Sequence, residues 1–504
     1  MSESLKKKTG TALIWSFIDK GGQQVIQVLA VYILARILLP EDFGVVAYLA
    51  LFSAIANMLQ ESGFSSALIR KQNVSEAEYN TVFYFNVSIS FVVYILFYFG
   101  VPWGINTFAK APDPILTDLS RFIFISFIFN AFAIVQNIHL QKKLAFRKNT
   151  QITVIAGCIA AAVAIYMAKM GYGAWSLAAQ LVMQSFVRTV LLWVFIKWKP
   201  ALQFSWTHLK SMLPYSSKLL FSGILGQVST NIFSLIIGDR FSIHQAGIYS
   251  KANQFNMIPQ SVITDGIKSV AYPILSTVEE EERQGRVFRK IIRITAFIAF
   301  PVAAMMIVMA KPIILILLTH KFAESIPILQ ILSIGGVAYP FFVLVGVLMQ
   351  RLGKSGQLMK VETTKNALLL LSALVSVRFG VLGIVWGITI VQFLSFFWGY
   401  YTVEKQFPYK LKEVLSDIVP YIAISIVAFV PVYFLERVIV FDPVHLFTIT
   451  IPSVLSLPVN VTSYMVLLVV QSISGIGLYL LITKMLGSKI LDDCIGFFKG
   501  KGLN

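Results

Sequence analysis

The sequence predicts an all-α membrane protein with about fourteen transmembrane helices. Of its 504 residues, 57% are hydrophobic and only 13% are charged, whereas a soluble domain carries about 25% charged residues. The mean hydropathy is +0.76. A compact soluble fold cannot bury so much apolar surface, so composition excludes a soluble enzyme. The two cysteines are too few for a disulfide framework or a cysteine-rich metal site.

Mostly apolar stretches of about 20 residues, each long enough to cross a bilayer, recur along the whole chain. The fourteen predicted spans are 12–35, 43–66, 82–101, 119–138, 151–168, 174–196, 212–237, 247–271, 291–310, 326–349, 359–377, 381–402, 415–435 and 462–484. The first is not a cleavable signal peptide, since it contains Asp19, Lys20 and three glutamines.

The basic residues orient these spans. With the N-terminus in the cytoplasm, 27 of the 42 lysines and arginines fall on the inner loops and tails, nine on the outer side and six within spans. This bias matches the rule that basic residues collect on the cytoplasmic side. It predicts that both termini are cytoplasmic, and it explains the net charge of +18 without a nucleic-acid partner. The apolar outer segment 436–462 is a candidate for a re-entrant segment, because Pro443, Pro452 and Pro458 interrupt it.

A weak internal repeat predicts two lobes. At an offset of 203 residues the segment 35–45 aligns with 238–248, so that Gly44 matches Gly247 and Gln24 matches Gln227. Six spans separate the copies, which gives both the same orientation and a pseudo-twofold axis along the membrane normal. We expect an N-terminal lobe of six spans (1–200), a second six-span lobe (201–410), and a C-terminal helix pair with a basic tail (411–504).

Ionisable and amide side chains inside spans are costly in lipid and therefore indicate function. Spans one, two, seven and eight carry most of them, at equivalent places in the two lobes. We predict that they line one water-filled cavity whose cations exceed its carboxylates. The expected substrate-binding residues are Lys218, Lys251, Lys20, Arg188, Gln24, Gln227, Asn231 and Asn253. The carboxylates expected to couple an ion are Asp19, Glu61 and Asp265.

Catalytic and cofactor motifs are missing from the sequence. Gly353-Lys354-Ser355 resembles the end of a phosphate-binding loop, but Leu348 stands where that motif needs glycine. No HExxH motif is present, and the five histidines are too scattered to bind a metal. We therefore predict a transporter rather than an enzyme, without a cofactor or metal.

Several loop segments resemble those of the polysaccharide exporters, the Wzx-type flippases of the multidrug/oligosaccharidyl-lipid/polysaccharide (MOP) superfamily, and especially the colanic-acid and teichuronic-acid exporter branch. The segments that carry the resemblance are Trp15-Ser16, Leu34 to Gly44 with its Pro-Glu-Asp-Phe-Gly run, Gly63 to Lys71, Leu140 to Arg147, Gly247-Ile248-Tyr249, and Pro327 to Gln330. The resemblance extends to about residue 410.

The resemblance implies a flippase in the bacterial inner membrane. Its substrate would be an undecaprenyl-pyrophosphate-linked oligosaccharide, moved to the outer leaflet by alternating access for O-antigen, capsule or exopolysaccharide export. Expected partners are this substrate, membrane lipids and a polysaccharide polymerase or export machinery. Three alternatives stay open: a lipid II flippase, a multidrug/cation antiporter of the same superfamily, and a membrane glycosyltransferase or polymerase.

Overall fold

A computed structural model gives the fold. It describes residues 21–61, 64–71, 73–108, 114–143, 145–277, 280–405, 407–439, 459–488 and 490–491, and within them all regular secondary structure is helical. The all-α polytopic architecture predicted from the sequence is thereby confirmed.

The described residues of the first half form nine helices. They are α1 over 21–37, α2 (Pro40–Glu61), α3 (Phe64–Arg70), α4 (Glu76–Phe108), α5 (Pro114–Lys142), α6 (Phe146–Lys169), α7 (Ala174–Phe195), α8 (Trp206–Arg240) and α9 (Ile243–Thr277). The second half continues with α10 (Glu281–Val308), α11 (Ala310–Leu317), α12 (Ser325–Gly336), α13 (Ala338–Arg351), α14 (Ser355–Ser376), α15 (Gly380–Glu404), α16 (Leu411–Ile439) and α17 (Val459–Met485).

Every predicted span from the second onward overlaps a helix. Among the described residues, ten helical stretches are long and apolar enough to cross a membrane. One of them, the 50-residue Ser355–Glu404, contains two predicted spans, which the 3-10 turn Val377–Phe379 separates. Part of the first predicted span, and residues 440–458 of the segment suspected to be re-entrant, lie outside the described residues.

Helices α8 and α9 overlap predicted spans but are not among the ten apolar stretches. Each has 35 residues, about 50 Å of helix, which exceeds the roughly 30 Å hydrocarbon thickness of a bilayer. Their polar side chains lower the hydropathy that would otherwise mark them as spans. The count of fourteen spans therefore stays a prediction.

The chain divides into two compact units, Met1–Ser250 and Lys251–Asn504. In the N-terminal unit, α5 packs against α4 and α7, α6 packs against α7, and α2 packs against α8. Helix α6 buries Ala156, Ala160 and Ala164 almost completely. Small residues at this spacing allow two helices to approach closely in a membrane.

The C-terminal unit has its apolar core around α10, α13, α15 and α16. A polar cluster ties α16 to α10 within it. The Asp417 carboxylate, whose side chain is 5% exposed, accepts hydrogen bonds from Arg289 Nε at 2.6 Å, from Arg293 Nη2 at 2.5 Å and from the Tyr409 hydroxyl at 2.6 Å. Burial and the hydrogen bond to Asp417 raise the pKa of Tyr409, so the phenol remains a donor. One carboxylate thus holds three donors from two segments.

The first turns of α2 and α9 meet in a reciprocal contact within the N-terminal unit. A Cβ atom on Gly44 would overlap the carbonyl oxygen of Ile243, and one on Gly247 would overlap that of Pro40. The predicted offset of 203 residues relates the two glycines to each other, and it also relates Pro40 to Ile243. Glu41 and His244, a third pair at this offset, approach to 2.9 Å between Oε1 and Nδ1. The internal repeat thus brings its own equivalent positions together, and only glycine permits this approach.

The Gly247→Ala substitution should destabilise the protein by about 1–3 kcal/mol, because a backbone carbonyl cannot rotate away from the new methyl group. Thermal unfolding of the purified protein in detergent measures this. Gly100→Ala in α4 is the control, since its Cβ would meet no atom within 4 Å and alanine favours a helix by up to about 1 kcal/mol. Equal melting temperatures for the two variants would show that the contact is not tight.

Asp417→Asn should lower the free energy of unfolding by roughly 2 kcal/mol, because the amide leaves two arginines without their counter-charge. The same detergent unfolding measurement applies. Glu282→Gln provides a matched control. Its partner Arg286 is 3.8 Å away and both side chains are exposed, and such surface pairs contribute little. A loss no larger than that of the control would contradict the assigned role of Asp417.

Candidate functional site: a polar cavity in the N-terminal unit

The main candidate site is a cavity of about 360 Å³ enclosed by α1, α2, α5, α6 and α7 of the N-terminal unit. Three of its thirteen lining residues are apolar. The ten polar ones are Gln23, Ser53, Asn57, Ser126, Asn130, Asn149, Thr153, Gln184, Ser185 and Arg188. In lipid, polar side chains are stable where they meet one another or water. The five helices therefore turn polar faces to a common space.

A repeated spacing in the sequence produces these faces. Ser53 and Asn57 on α2 are four residues apart, and so are the polar pairs on α5 and α6. Residues four apart lie on the same side of a helix. On α7, Gln184 and Arg188 follow the same rule. Each helix thus keeps an apolar surface and presents one polar strip about one turn long.

The hydroxyls of the lining are oriented by their own helices. Thr153 Oγ1 donates to the carbonyl oxygen of Asn149 at 2.9 Å, and Ser126 Oγ donates to that of Ile123 at 2.6 Å. Because these protons are engaged by the backbone, the hydroxyl oxygens can accept hydrogen bonds from an occupant. The amides of Asn57, Asn130 and Gln184 offer both donors and acceptors.

Arg188 is the charged residue among the described lining residues, and no carboxylate is among them. Its Nη2 donates to Asn137 Oδ1 at 2.9 Å, which ties α7 to α5. This amide partner orients the guanidinium. The cavity therefore combines one fixed cation with neutral hydrogen-bonding groups, which suits a hydroxylated ligand that carries negative charge.

Another polar residue of α2, Gln60, joins neighbouring helices instead of lining the cavity. It is 2% exposed, and its Nε2 donates to Ser90 Oγ at 2.7 Å and to the carbonyl oxygen of Phe127. This amide joins α2 to α4 and α5. A polar residue in a span is thus not by itself evidence of a binding site.

The predicted site residues are only partly brought together. Arg188 lines the cavity, whereas Gln24 is half-buried and its neighbour Gln23 takes the lining position. On α8, Asn231 Nδ2 donates to the Gln227 carbonyl oxygen at 3.0 Å. Lys251 is buried and donates to Gln254 Oε1 at 3.0 Å.

The other predicted positions lie elsewhere. Asn253 and Asp265 are half-buried on the part of α9 that belongs to the C-terminal unit. Asp19 and Lys20, and the side chains of Glu61 and Lys218, lie outside the described part of the structure. In the described residues no group of three or more histidine, cysteine or acidic side chains could hold a metal.

Most of the lining escaped the sequence analysis. Ser126, Asn130, Asn149, Gln184 and Ser185 were not predicted, because the search centred on the spans richest in charged and amide groups. The signal that identifies most of them is the recurrence of polar residues four apart inside apolar spans. Four such pairs, on α2, α5, α6 and α7, indicate a shared cavity.

The C-terminal unit has a smaller cavity at the repeat-equivalent place. It holds about 20 Å³ and is lined in part by Asn256 and Gln260, which correspond at the offset of 203 residues to Ser53 and Asn57. Its other walls include Ala299, Val302 and Met306. A space of this size admits about one water molecule.

Comparison with known proteins identifies the family. The family described as "Polysaccharide biosynthesis protein" matches residues 33–327, which is more than half of the chain. The chain belongs to this family. The matched region includes most of the loop segments that first indicated a polysaccharide exporter, from Leu34 to Tyr249. The resemblance to the polysaccharide exporters of the MOP superfamily is confirmed.

Two relatives show what the family includes. The chain is 27% identical over 344 residues to the succinoglycan biosynthesis transport protein ExoT of Rhizobium meliloti (strain 1021), covering 68% of this chain and 69% of that protein. It is 23% identical over 413 residues to the lipopolysaccharide biosynthesis protein WzxC of Escherichia coli (strain K12), covering 80% and 82% of the two chains. The protein is thus a membrane transporter of polysaccharide biosynthesis.

One solved structure has a similar fold. The lipid II flippase MurJ in an inward closed conformation superimposes with a TM-score of 0.74, covering 94% of this chain and 98% of that one. At 15% sequence identity the likeness establishes the shared fold alone.

A cysteine at Ser185 should react rapidly with a hydrophilic maleimide, because the cavity lining is expected to be wet. The measurement uses a background in which Cys158 and Cys494 are replaced by serine. A cysteine at Ser90, which is fully buried against Gln60, is the control and should stay unlabelled. Equal labelling rates at the two positions would show that the cavity does not admit water.

Proposed function

We propose that the protein flips an undecaprenyl-pyrophosphate-linked oligosaccharide from the inner to the outer leaflet of the bacterial cytoplasmic membrane, for O-antigen, capsule or exopolysaccharide export. The observation that carries the proposal is a polar cavity with a cation, and with no carboxylate among its described lining residues, in a member of a polysaccharide biosynthesis family. The headgroup of such a lipid is rich in hydroxyls and negatively charged. Its prenyl tail can remain in the bilayer while the headgroup crosses.

The chemistry of the cavity supports this substrate class. Sugar hydroxyls both donate and accept hydrogen bonds, and the lining offers both through its amides and its backbone-anchored hydroxyls. Arg188 can pair with a phosphate or carboxylate oxygen of the headgroup. A volume of 360 Å³ lies within the range of roughly 300–1,000 Å³ that small-molecule sites occupy. The cavity can therefore accommodate a sugar portion of the headgroup.

The transport cycle that we propose is alternating access of two six-helix lobes, 1–200 and 201–410, with the helix pair of 411–504 added to them and both termini cytoplasmic. In this proposal Lys20, Lys218 and Lys251 are further cations that bind the pyrophosphate during transport. Asp19, Glu61 and Asp265 are the carboxylates that can couple an ion to the movement. In this orientation the reciprocal contact of Gly44 and Gly247 lies on the outer side of the membrane. There it holds the first turns of α2 and α9 together.

Two other transport functions remain testable alternatives. A lipid II flippase has the same fold, and it differs in the glycan that it moves. A multidrug/cation antiporter needs carboxylates to attract its cations, and none is among the described residues that line this cavity. An enzymatic role as a glycosyltransferase or polymerase is disfavoured by relatives that are transporters.

Arg188→Gln should reduce polysaccharide export about tenfold or more, because a hydrogen bond to a charged group is worth about 1.5–3 kcal/mol and 1.4 kcal/mol corresponds to a factor of ten. The assay restores the gene to a deletion strain and measures surface polysaccharide together with the carrier-linked oligosaccharide that accumulates in the membrane. Lys169→Gln, an exposed cation at the end of α6, is the matched control and should export normally.

Two results would count against the proposal in different ways. Normal export by Arg188→Gln would remove this cavity from the substrate path. Accumulation of lipid II in the deletion strain, instead of a polysaccharide precursor, would show that the substrate class is wrong even if Arg188 is essential.

A further inference from the structure

The C-terminal unit also has a groove on its surface, separate from the site described above. It lies between α14 and α15 and measures about 550 Å³. Its walls come from the first turns of α14, at Gln357 to Thr364, and from the last turns of α15, at Trp398 and Thr402. Because α14 and α15 run in opposite directions, these two segments lie at the same end of the helix pair.

Three layers of side chains place this groove at a membrane interface. Lys354 and Lys405 flank the helix ends, and Lys410 and Lys412 follow. Next come Trp398 and Tyr401, whose rings stack with centroids 6.5 Å apart. Further along, Leu374 on α14 is 69% exposed. Basic, aromatic and then apolar residues follow one another in this order at the cytoplasmic surface of membrane proteins. The groove therefore lies at the level of the lipid headgroups.

The surface around the groove faces lipid. Only 22% of the apolar window of Ser355–Glu404 is buried, and large apolar side chains of both helices are exposed. Leu371 on α14 and Ile390 and Leu394 on α15 are each at least half exposed. An acyl chain lying along this hairpin would meet apolar side chains for several turns beyond the groove.

The groove itself has the groups that a phospholipid headgroup needs. Lys360 is an exposed cation in its wall. Thr363, Thr364 and Thr402 supply hydroxyls, and Thr402 Oγ1 donates to the carbonyl oxygen of Gly399 at 2.7 Å, which leaves its oxygen as an acceptor. Glu362, exposed on α14, is not among the residues that line the groove.

One wall hydroxyl points to the kind of headgroup. Thr402 Oγ1 donates its proton to the Gly399 carbonyl oxygen, so its oxygen acts as an acceptor. An occupant that meets this oxygen should therefore bring a donor to it. A phosphate alone has only acceptor oxygens when ionised, whereas a glycerol headgroup has hydroxyl donors next to its phosphate.

We propose that the groove binds an anionic phospholipid with a hydroxylated headgroup, of the phosphatidylglycerol type. Lys360 neutralises the phosphate, Thr402 Oγ1 accepts a hydrogen bond from a headgroup hydroxyl, and Trp398 packs against the glycerol backbone. The acyl chains follow the exposed apolar surface of α14 and α15. The bound lipid fastens this hairpin at the inner leaflet, independently of which substrate the protein transports.

The test measures thermal unfolding of the full-length protein in detergent with added short-chain lipids. Phosphatidylglycerol should raise the melting temperature by about 3 °C or more at saturation. Phosphatidic acid, which lacks the headgroup hydroxyls, should raise it less, and phosphatidylcholine should have little effect.

Two variants assign the effect to the groove. Lys360→Gln should remove the advantage of phosphatidylglycerol over phosphatidylcholine, and Thr402→Val should remove its advantage over phosphatidic acid. Lys412→Gln, an exposed lysine at the same end of the unit but outside the groove, should keep both preferences. For each variant, the shift is measured from the melting temperature of that same variant without lipid.

Three outcomes would overturn the proposal. These are equal stabilisation by phosphatidylglycerol and phosphatidylcholine, an unchanged lipid preference in Lys360→Gln, and stronger stabilisation by undecaprenyl phosphate than by phosphatidylglycerol. The last would mean that the groove receives a prenyl carrier instead. Since no transport is measured, these outcomes are distinct from a failure of the proposed flippase activity.

Discussion

A hydrocarbon solvent cannot form hydrogen bonds, and this constraint organises the polar chemistry of the whole molecule. Each polar side chain in a membrane helix must find another protein group or enclosed water. In the N-terminal unit, polar side chains from several helices meet this requirement by facing one common space. Helices α2, α5, α6 and α7 each contribute a short polar strip, α1 adds Gln23, and together they line a space of about 360 Å³. The cavity is the geometric consequence of placing polar pairs four residues apart on neighbouring apolar helices.

In the C-terminal unit, the polar groups around Asp417 are satisfied by direct contact with one another instead of facing a shared cavity. Two arginines of α10 and the Tyr409 hydroxyl satisfy one carboxylate, with donor–acceptor distances of 2.5–3.0 Å. The groups of this cluster bind one another around a carboxylate that is 5% exposed. The cluster's positive charges exceed its negative charge, yet the geometry serves the attachment of α16. Charge in a span therefore indicates function only when the surrounding groups leave space beside it.

Much of the fold could be predicted because the length and hydropathy of a span are local properties. The predicted spans overlap the observed helices even where their ends differ. The break at Val337, which divides the predicted span 326–349 into α12 and α13, was not predicted, since apolar residues continue on both sides of it. The lengths of α8 and α9 were also underestimated, because polar residues beyond the hydrocarbon continue a helix without raising its hydropathy.

The candidate site was less predictable because it depends on how each helix is rotated. Arg188 stood out as a charge within a span and does line the cavity. On α1, however, the prediction chose Gln24, and the lining residue is Gln23. One residue turns a helix by about 100°, which moves a side chain from the cavity to a neighbouring helix. The sequence of one helix does not contain that angle, since packing against the other helices sets it.

The repeat makes the difference between the two units informative. Ser53 and Asn57 line the large cavity, and their counterparts Asn256 and Gln260 line one of about 20 Å³. Both units thus inherit a polar strip on the equivalent helix, but Met306 and Val302 fill the second space. Gln260 Nε2 and Oε1 have no hydrogen-bond partner among the described residues, and this unsatisfied amide is costly in a nearly dry space. A polar strip that is retained without a cavity costs stability, whereas the same strip beside a cavity can bind a ligand. The ligand-sized volume of the N-terminal cavity, and not its polarity alone, is therefore what favours it as the site.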